Sequence, residues 1–366
     1  MIKKSDFLII GGGIAGAGAA ARLAPHASVT LLEMEDAPGR HATGRSAAIY
    51  IRNYGNATLR ALNVASEPVL EVPVGLSDHS LLTPRGEMLI ATEDELGAFH
   101  DYLAGAEGME VLSPDEAVGL FPLLRKEKIA AAAIERAAKD IDVDRLLQGF
   151  IRLAKQDGAE LVTRAPAETI RREGQVWQVS TPADTFEAPV LINAAGAWAD
   201  VVADLAGVQK IGLQALRRSA AIIPPPDGID ITSWPLVASA SESWYAKPDA
   251  GKFMVSPADE DPVEPHDVWA DDMVLAEGLH RFEQAVTMEV TRVEHSWAGL
   301  RSFVKDCTPV VGFAPDREGF FWLAGQGGYG VQTAPALSQL TADLCLGKEP
   351  VLPHEVVTAL NPSRLI

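Results

Sequence analysis

The amino-terminal stretch alternates apolar runs with glycines in an order that predicts a strand, a turn, a helix and a second strand. The first apolar run, Phe7–Ile10, leads into a turn at Gly11–Gly16, and a segment rich in alanine follows. A second apolar run, Ser28–Leu32, ends at Glu33. This order favours a βαβ unit with two parallel strands.

The glycine turn matches the GxGxxG fingerprint of dinucleotide-binding βαβ units. Gly11 allows the tight turn, Gly13 lets the backbone approach a pyrophosphate, and Gly16 lets the helix lie close to the sheet. The amides of Ile14 and Ala15 would face the phosphates at the positive end of the helix. Glu33 is placed to hold a ribose hydroxyl. We therefore expect a bound adenine dinucleotide; a purely structural glycine turn is the alternative.

Further along the chain the pattern predicts short alternating strands separated by a few amphipathic helices. The predicted strands are Glu87–Ala91, Glu160–Thr163, Ala167–Arg172, Gln175–Ser180, Thr185–Ala188, Val190–Asn193, Ala220–Ile223, Ser243–Lys247, Lys252–Ser256, Val310–Gly312 and Phe320–Ala324. The predicted helices are Pro114–Leu120, Asp142–Lys155 and Tyr329–Cys345.

This order of elements indicates an α/β protein of two domains, each visited more than once by the chain. We expect a Rossmann-type cofactor-binding domain joined to a substrate-binding domain with a mixed sheet. The cofactor-binding domain is predicted to comprise residues 1–56, 138–213 and 293–366. Residues 57–137 and 214–292 are predicted to form the substrate-binding domain.

Composition narrows the choice of partners. The net charge is −19, from 50 acidic and 31 basic residues, which argues against a nucleic-acid partner and is compatible with a cationic substrate. The two cysteines, Cys307 and Cys345, are too few for a disulfide framework, so a reducing, cytoplasmic location is predicted. No apolar run approaches the ~20 residues of a membrane span. A peripheral membrane contact is compatible with these features.

Five motifs together resemble the FAD-dependent D-amino acid oxidase superfamily, and the resemblance runs nearly end to end. They are GGGIAG at 11–16, HATGRSAA at 41–48, INAAGAWAD at 192–200, WAGLRSF at 297–303 and GQGGYGVQ at 325–332. Within the superfamily the chain looks most like D-arginine dehydrogenase. The resemblance implies a fold of the glutathione-reductase-like, D-amino-acid-oxidase type. It also implies hydride transfer from a substrate Cα to flavin N5, giving an imino acid that hydrolyses to a 2-keto acid and ammonia.

The resemblance implies noncovalent FAD, because Cys307 does not fall where the sarcosine-oxidase branch attaches its flavin. Glycine amides at the start of the last helix, chiefly those of Gly327 and Gly328, are suited to stabilise charge at flavin N1 and O2. A plain strand-to-helix turn is the alternative. The expected cofactor-binding residues are Gly11, Gly13, Ile14, Ala15, Gly16, Glu33, Thr43, Gly44, Arg45, Ser46, Ala47, Ala195, Gly196, Trp198, Arg301, Gly327, Gly328, Tyr329, Gly330 and Gln332.

A substrate carboxylate requires a fixed cation, and arginine can bind it through two parallel hydrogen bonds. The resemblance assigns this role to Arg301 and Arg218, with Arg217 on the opposite face of the strand. The alternative for Arg217 or Arg218 is a surface salt bridge. Tyr245 matches a tyrosine that donates to the carboxylate, and Tyr54 an aromatic on a mobile loop. Simple packing is the alternative for both tyrosines.

Glu87 is the residue on which substrate choice depends. The resemblance places it opposite a substrate guanidinium, and a strand-edge ion pair with Arg85 is the alternative. Ile49 and Ile51 stand where D-arginine dehydrogenase has a histidine and a hydroxyl residue, so a more apolar pocket wall is expected here. Catalytic candidates of the resemblance are Tyr54, Glu87, Arg218, Tyr245, Arg301, Gly328 and Gln332.

The leading hypothesis is an FAD-dependent dehydrogenase of D-amino acids that prefers D-arginine and D-lysine. The alternatives are an oxidase of glycine, sarcosine or an opine on the same fold, and a non-catalytic flavin-binding assembly factor or sensor. The electron acceptor is expected to be a quinone or O2. Hydrolase, metalloprotease and Walker A motifs do not occur in the sequence, no metal site is expected, and the acidic stretch Asp259–Asp272 is predicted to be a solvated surface.

Overall fold

The structure is a computed structural model that describes residues 2–366. Its strands are β1 (Ile2–Lys4), β2 (Phe7–Ile10), β3 (Val29–Leu32), β4 (Ile49–Tyr50), β5 (Leu82–Pro84), β6 (Glu87–Ala91), β7 (Met109–Leu112), β8 (Ala131–Glu135), β9 (Lys139–Ile141), β10 (Glu160–Val162), β11 (Thr169–Glu173), β12 (Val176–Ser180), β13 (Thr185–Ala188), β14 (Val190–Asn193), β15 (Gln214–Ile223), β16 (Leu236–Ser239), β17 (Tyr245–Asp249), β18 (Lys252–Ser256), β19 (Asp261–Pro262), β20 (His295–Phe303), β21 (Val310–Phe313) and β22 (Phe320–Ala324).

The α-helices are α1 (Ile14–Leu23), α2 (Ala57–Glu71), α3 (Leu96–Leu103), α4 (Pro114–Leu120), α5 (Val143–Gln156), α6 (Ala199–Ala206), α7 (Asp272–Ala285), α8 (Gly330–Cys345) and α9 (His354–Leu360). None of the helices in the described part of the chain is long and apolar enough to cross a membrane.

A six-stranded sheet carries the predicted βαβ unit at its centre, in the order β10-β3-β2-β14-β22-β21. All its pairings are parallel except the one between β21 and β22. Side chains alternate across β2: Phe7 and Ile9 pack with α1, α5 and α8, whereas Leu8 and Ile10 face the opposite layer. Burial on both faces explains why this strand is a continuous apolar run.

The predicted meander forms the opposite layer, a sheet ordered β1-β13-β12-β11. Trp177 and Phe186 of this sheet pack against Leu8 and Leu191 of the six-stranded sheet. Its first strand pairs parallel with β13, which ties the amino terminus of the described chain to the meander. A small sheet, β4-β9-β5, joins segments that are distant in sequence.

A nine-stranded mixed sheet forms the second half of the molecule, in the order β19-β15-β18-β17-β16-β6-β8-β7, with β20 paired to β15. One face packs against α4 and α7 through an apolar core that includes Met88, Val237 and Phe282. Side chains of alternate residues point to the other face. That face carries Arg218, Tyr245 and Glu87, and it forms a wall of the candidate site.

The predicted strands are confirmed, with one substantial difference in extent. The strand predicted at Ala220–Ile223 begins at Gln214, because it pairs with β20 through nine consecutive residue pairs. The polar residues Arg217, Arg218 and Ser219 interrupt the apolar pattern, so the sequence did not predict this extension of the strand. The predicted helices agree with α4, α5 and α8 to within one or two residues.

Two segments pack differently from the predicted domain division. Helix α2 lies against α8, and Leu59 and Leu62 belong to the core around α1, so this part of 57–137 packs with the six-stranded sheet. Strand β20, predicted within the cofactor-binding part, completes the nine-stranded sheet instead. We propose domain boundaries near residues 84 and 303 in place of 57 and 293.

Replacing Gly16 by alanine should disrupt the βαβ turn. A Cβ atom at Gly16 would lie 1.9 Å from the carbonyl oxygen of Gly11, so α1 would have to move away from the sheet. We expect a loss of about 1–3 kcal/mol in the free energy of unfolding and reduced flavin content, measured by urea denaturation and by bound flavin per chain.

The matched control is Gly119→Ala in α4, where an added Cβ meets open space. This exposed helical position should be neutral or gain about 0.5–1 kcal/mol. Full flavin content and unchanged stability in Gly16→Ala would contradict the assigned close approach.

Candidate active site

The glycine turn opens into an outer cavity whose lining includes one buried carboxylate. Gly11 adopts a φ of +109°, which side-chain-bearing residues rarely reach. The buried carboxylate of Glu33 accepts hydrogen bonds from the Gly12 amide at 2.7 Å and the Glu35 amide at 2.8 Å. The predicted cofactor residues that line this outer cavity are Gly11, Gly13, Glu33, Thr43, Ala195, Gly196 and Trp198.

An inner cavity continues from the outer one along the nine-stranded sheet. Gly13, Thr43 and Gly196 line both cavities, so they mark the junction. The Thr43 hydroxyl accepts a hydrogen bond from the Ile14 amide at 3.0 Å and fixes the start of α1 at this junction. The predicted cofactor residues lining the inner cavity are Gly13, Ile14, Ala15, Thr43, Arg45, Ser46, Ala47, Gly196, Arg301, Gly327, Gly328 and Gly330.

The two cavities fit an extended dinucleotide. A carboxylate lies in the outer cavity, the amino-terminal end of α1 lies at the junction, and the amino-terminal end of α8 lies beside the inner cavity. Helix amino termini carry unpaired N–H groups and a partial positive charge, which suit a pyrophosphate and a reducible ring that gains negative charge.

Four predicted cofactor residues do not line either cavity: Gly16, Gly44, Tyr329 and Gln332. Gly16 faces the Gly11 carbonyl where α1 packs against β2. The buried amide of Gln332 bonds to the Ile51 amide at 3.0 Å and to the Asn63 side chain at 2.8 Å. These bonds support the segment that leads to Tyr54, and the catalytic role of Gln332 stays a prediction.

Arg45 contributes to the wall, but its guanidinium has protein partners. It donates to the carbonyls of Val268 at 3.0 Å and Ala298 at 2.9 Å, and it forms an ion pair with Asp267. These bonds hold the 41–48 segment against the nine-stranded sheet.

Strand pairing brings the two predicted carboxylate-binding arginines together. Arg218 on β15 lies opposite Gly299 on β20, and Arg301 follows two residues later on the same face. Side chains in such diagonal positions are within reach of one another when they are long. Each arginine side chain is only 12% exposed, and both line the inner cavity.

Arg301 is packed on three sides. Its Nη2 donates to the Tyr54 hydroxyl at 2.5 Å, and its guanidinium lies 5.4 Å from the centre of the Phe303 ring. A Cβ atom at Gly328 would lie 1.8 Å from Nη2, so any side chain there would displace the Arg301 guanidinium. Burial opposes the charge, but the neighbouring Tyr54 and Tyr245 hydroxyls outweigh it and raise the pKa of Arg301 above its ordinary value.

A carboxylate from the protein bridges the two arginines. Oε1 of Glu260 accepts from Arg218 Nη2 at 2.8 Å and from Arg301 Nη1 at 3.0 Å. The stretch Asp259–Asp272 was predicted to be a solvated surface, and Glu260 is half-exposed despite this bridge. The prediction is wrong for Asp259, whose carboxylate is buried, accepts from the Ser219 amide at 2.6 Å and pairs with Arg217. Arg217 lies on the opposite face, as predicted.

Glu87 lies in the inner cavity, and the alternative of an ion pair with Arg85 is wrong. Arg85 pairs with Asp140 at 2.6 Å instead. The Glu87 carboxylate is buried and accepts a hydrogen bond from the Tyr102 hydroxyl at 3.3 Å. Burial, with the neighbouring Glu135 carboxylate, raises the pKa of Glu87 to about 8.

Glu135 was not anticipated from the sequence. It lies directly opposite Glu87 on β8, and its carboxylate accepts from the Arg52 amide at 2.7 Å and from the Asn53 side chain at 2.6 Å. These bonds fix the segment before Tyr54. An acidic residue ending an alanine-rich strand was the only sequence signal for this role.

Further cavity residues also escaped sequence analysis. Glu242 lines the inner cavity with a φ of +52°, in a serine-rich turn where sequence offered no chemical motif. Tyr102 and Met254 come from elements whose pattern indicates only packing. The apolar wall expected from Ile49 and Ile51 is present, because both line the inner cavity with Leu89.

Comparison with known proteins now decides the family. Residues 6–344 match the DAO family, described as FAD dependent oxidoreductase. The chain belongs to the DAO family of FAD-dependent oxidoreductases. FAD is therefore the dinucleotide that the two cavities accommodate.

Several relatives share most of their length with this chain. A glycine oxidase of Bacillus licheniformis is 26% identical over 360 residues, covering 95% of the chain and 94% of the relative. FAD-dependent oxidoreductase domain-containing protein 1 of Bos taurus is 26% identical over 401 residues, covering 94% and 82%. These relatives support the glycine-oxidase alternative better than the finer resemblance to D-arginine dehydrogenase.

Solved structures confirm the expected fold. Glycine oxidase from Geobacillus kaustophilus superposes with a TM-score of 0.85 at 21% identity, covering 100% of both chains. L-Proline dehydrogenase from P. horikoshii gives a TM-score of 0.85 at 22% identity, covering 100% of this chain and 98% of the other. The DAO-type FAD-binding fold with mixed sheets thus extends over the whole described chain.

The buried carboxyl group of Glu87 should make stability depend on pH. Its pKa is raised in the folded state, so the folded protein binds more protons than the unfolded chain as pH rises from about 4.5 to about 8. Over this window wild-type protein should lose on the order of 5 kcal/mol of unfolding free energy relative to Glu87→Gln. Chemical denaturation at several pH values measures the difference.

Glu264→Gln, which removes an exposed carboxylate, is the control and should follow the wild-type curve. Parallel curves for wild type and Glu87→Gln would show that burial does not perturb Glu87.

Proposed function

We propose that this protein oxidises a small or N-substituted amino acid of the glycine or sarcosine type at its Cα–N bond. The observation that carries the proposal is the pair of largely buried guanidinium groups, Arg218 and Arg301, on one sheet face beside Gly328. Two fixed cations at one end of a largely apolar cavity suit a carboxylate-bearing substrate. Similarity to glycine oxidases supports the choice of a small amino acid.

The protein groups orient the substrate and set its protonation. Arg301 and Arg218 would hold the carboxylate, with the Tyr245 hydroxyl as a further donor. Burial raises the pKa of Tyr54, so its hydroxyl stays protonated near neutral pH and acts as a donor rather than a base. The substrate amine would lose its proton to water before oxidation.

Bound FAD would supply the acceptor for the two electrons and the hydrogen that leave the substrate Cα. The amino-terminal end of α8 lies beside the inner cavity, where its dipole favours negative charge. The resulting imino acid would hydrolyse in water to a 2-oxo acid and an amine or ammonia. Cys307 lines neither cavity, which supports noncovalent FAD. The acceptor, O2 or a quinone, and a cytoplasmic location stay predictions.

A second candidate substrate is a basic D-amino acid, and Glu87 is the observation that favours it. Its carboxyl group reaches the inner cavity with Glu242, so a cationic side chain would find acidic partners there. However, a pKa of about 8 leaves Glu87 mostly protonated near neutral pH in the free protein. A guanidinium would therefore have to ionise Glu87 as it binds, which weakens this candidate relative to a small substrate.

Anaerobic mixing with single substrates tests the proposal. We expect glycine or sarcosine to bleach the visible absorbance of the oxidised flavin faster than D-arginine, D-lysine or any L-amino acid larger than alanine. Stopped-flow absorbance gives the rate for each compound. Bleaching by D-arginine and D-lysine alone would overturn the small-substrate proposal in favour of the second candidate. Bleaching by none of them would revive the non-catalytic alternative.

Glu87→Leu separates the two candidates within one protein. If the substrate is small, the variant should leave its kcat/KM within about threefold, because no cation contacts Glu87. If the substrate is basic, kcat/KM should fall tenfold or more. Loss of a charge-assisted bond would remove about 1.5–3 kcal/mol of transition-state stabilisation. If the substrate is basic, activity with D-arginine should also rise as the pH approaches 8 in the wild-type protein but not in Glu87→Leu.

A further inference from the structure

The carboxylate of Glu260 occupies the position that a substrate carboxylate needs. One oxygen, Oε1, accepts hydrogen bonds from both Arg218 and Arg301. These are the two cations to which the proposed function assigns the substrate carboxylate. Glu260 and the substrate therefore require the same donors.

We propose that Glu260 is a specificity-determining residue that competes with the substrate carboxylate for Arg218 and Arg301 and turns aside when substrate binds. This inference rests on the proposed function only in naming the ligand as an amino acid. The chemistry it requires is that of any small carboxylate.

The local backbone allows this exchange through the side chain alone. Asp259 on one side is buried against Ser219, and Asp261 on the other pairs with Arg217 at 2.6 Å. Strand β19 also pairs with Leu216 and Arg217 of β15. The backbone around Glu260 is thus anchored on both sides, while the Glu260 side chain is 49% exposed and has solvent into which it can rotate.

The energies favour exchange rather than a permanent bridge. A half-exposed ion pair contributes little because water screens it. The two arginines, by contrast, are largely buried and lose more if they are left without any anion. Glu260 therefore neutralises them in the free protein at small cost to later substrate binding.

This arrangement also selects among ligands. A substrate with a carboxylate can take over both guanidinium groups and restore their hydrogen bonds. An amine without a carboxylate cannot, so it would have to bind with Glu260 still in place. Glu260 thus lowers the apparent affinity of carboxylate-bearing ligands and leaves that of simple amines unchanged.

Binding of acetate to the oxidised, FAD-loaded protein tests the inference without turnover. Acetate should perturb the visible flavin spectrum, and titration gives its dissociation constant. We expect the dissociation constant of Glu260→Ala to be about threefold to tenfold lower than that of wild type, because the internal competitor is gone. Glu264→Ala, which removes a neighbouring exposed charge, should match wild type.

Other outcomes would overturn the inference. A higher dissociation constant in Glu260→Ala would mean that Glu260 positions the arginines instead of competing with substrate. Equal dissociation constants for wild type and Glu260→Ala would show that Glu260 and acetate do not share a site. An Arg301→Lys variant that binds acetate as tightly as wild type would show the same. Flavin content and the thermal transition of each variant check that it is folded.

The proposed function can fail separately. If acetate binds more tightly to Glu260→Ala but no amino acid bleaches the flavin, the competition stands and the assigned reaction does not. As a further readout, Glu260→Ala should raise the rate with a carboxylate-bearing substrate relative to a simple amine, because only the carboxylate competes with Glu260; an unchanged ratio would contradict the competition.

Discussion

The site depends on one constraint: two guanidinium groups are held side by side on the face of a sheet, largely away from water. The register of β15 and β20 sets this, because Arg218, Gly299 and Arg301 share one face. Like charges so placed require an anion. Glu260 supplies one in the free protein, and a substrate carboxylate would supply one during the reaction.

Other features of the cavity follow from keeping that cationic end fixed and the rest apolar. Gly328 leaves room for the Arg301 guanidinium, and Tyr54 bonds to it from a segment that Glu135 holds. Gln332 braces the same segment from α8. Residues that do not touch the cavity thus determine where the contacting groups lie.

Sequence analysis predicted the cofactor half well because its signal is local. Strand, glycine turn, helix and acid follow one another within the first 33 residues, and each has a conformational reason. The long-range pairings were harder to predict. Strand β15 looked short because its arginines interrupt the apolar pattern, and α2 gave no sign that it packs against α8. The domain boundaries that we propose differ from the predicted ones for that reason.

Sequence analysis predicted the cations of the site and Glu87, but it missed three other acidic residues, Glu135, Glu242 and Glu260. Arg218, Arg301, Tyr54, Tyr245 and Glu87 all line the inner cavity, since motifs marked them. Glu260 is placed by the pairing of the short strand β19 with β15, whereas composition alone indicated a solvated surface there. A run of acidic residues can be assigned to a solvated surface only when the strand that pairs with it is known.

The most direct measurement is a crystal structure of the FAD-loaded protein with acetate as a non-reactive ligand. The account predicts the acetate carboxylate between the guanidinium groups of Arg218 and Arg301, with the Glu260 side chain turned toward solvent. Acetate bound elsewhere, or Glu260 still bridging both arginines at saturating acetate, would contradict it.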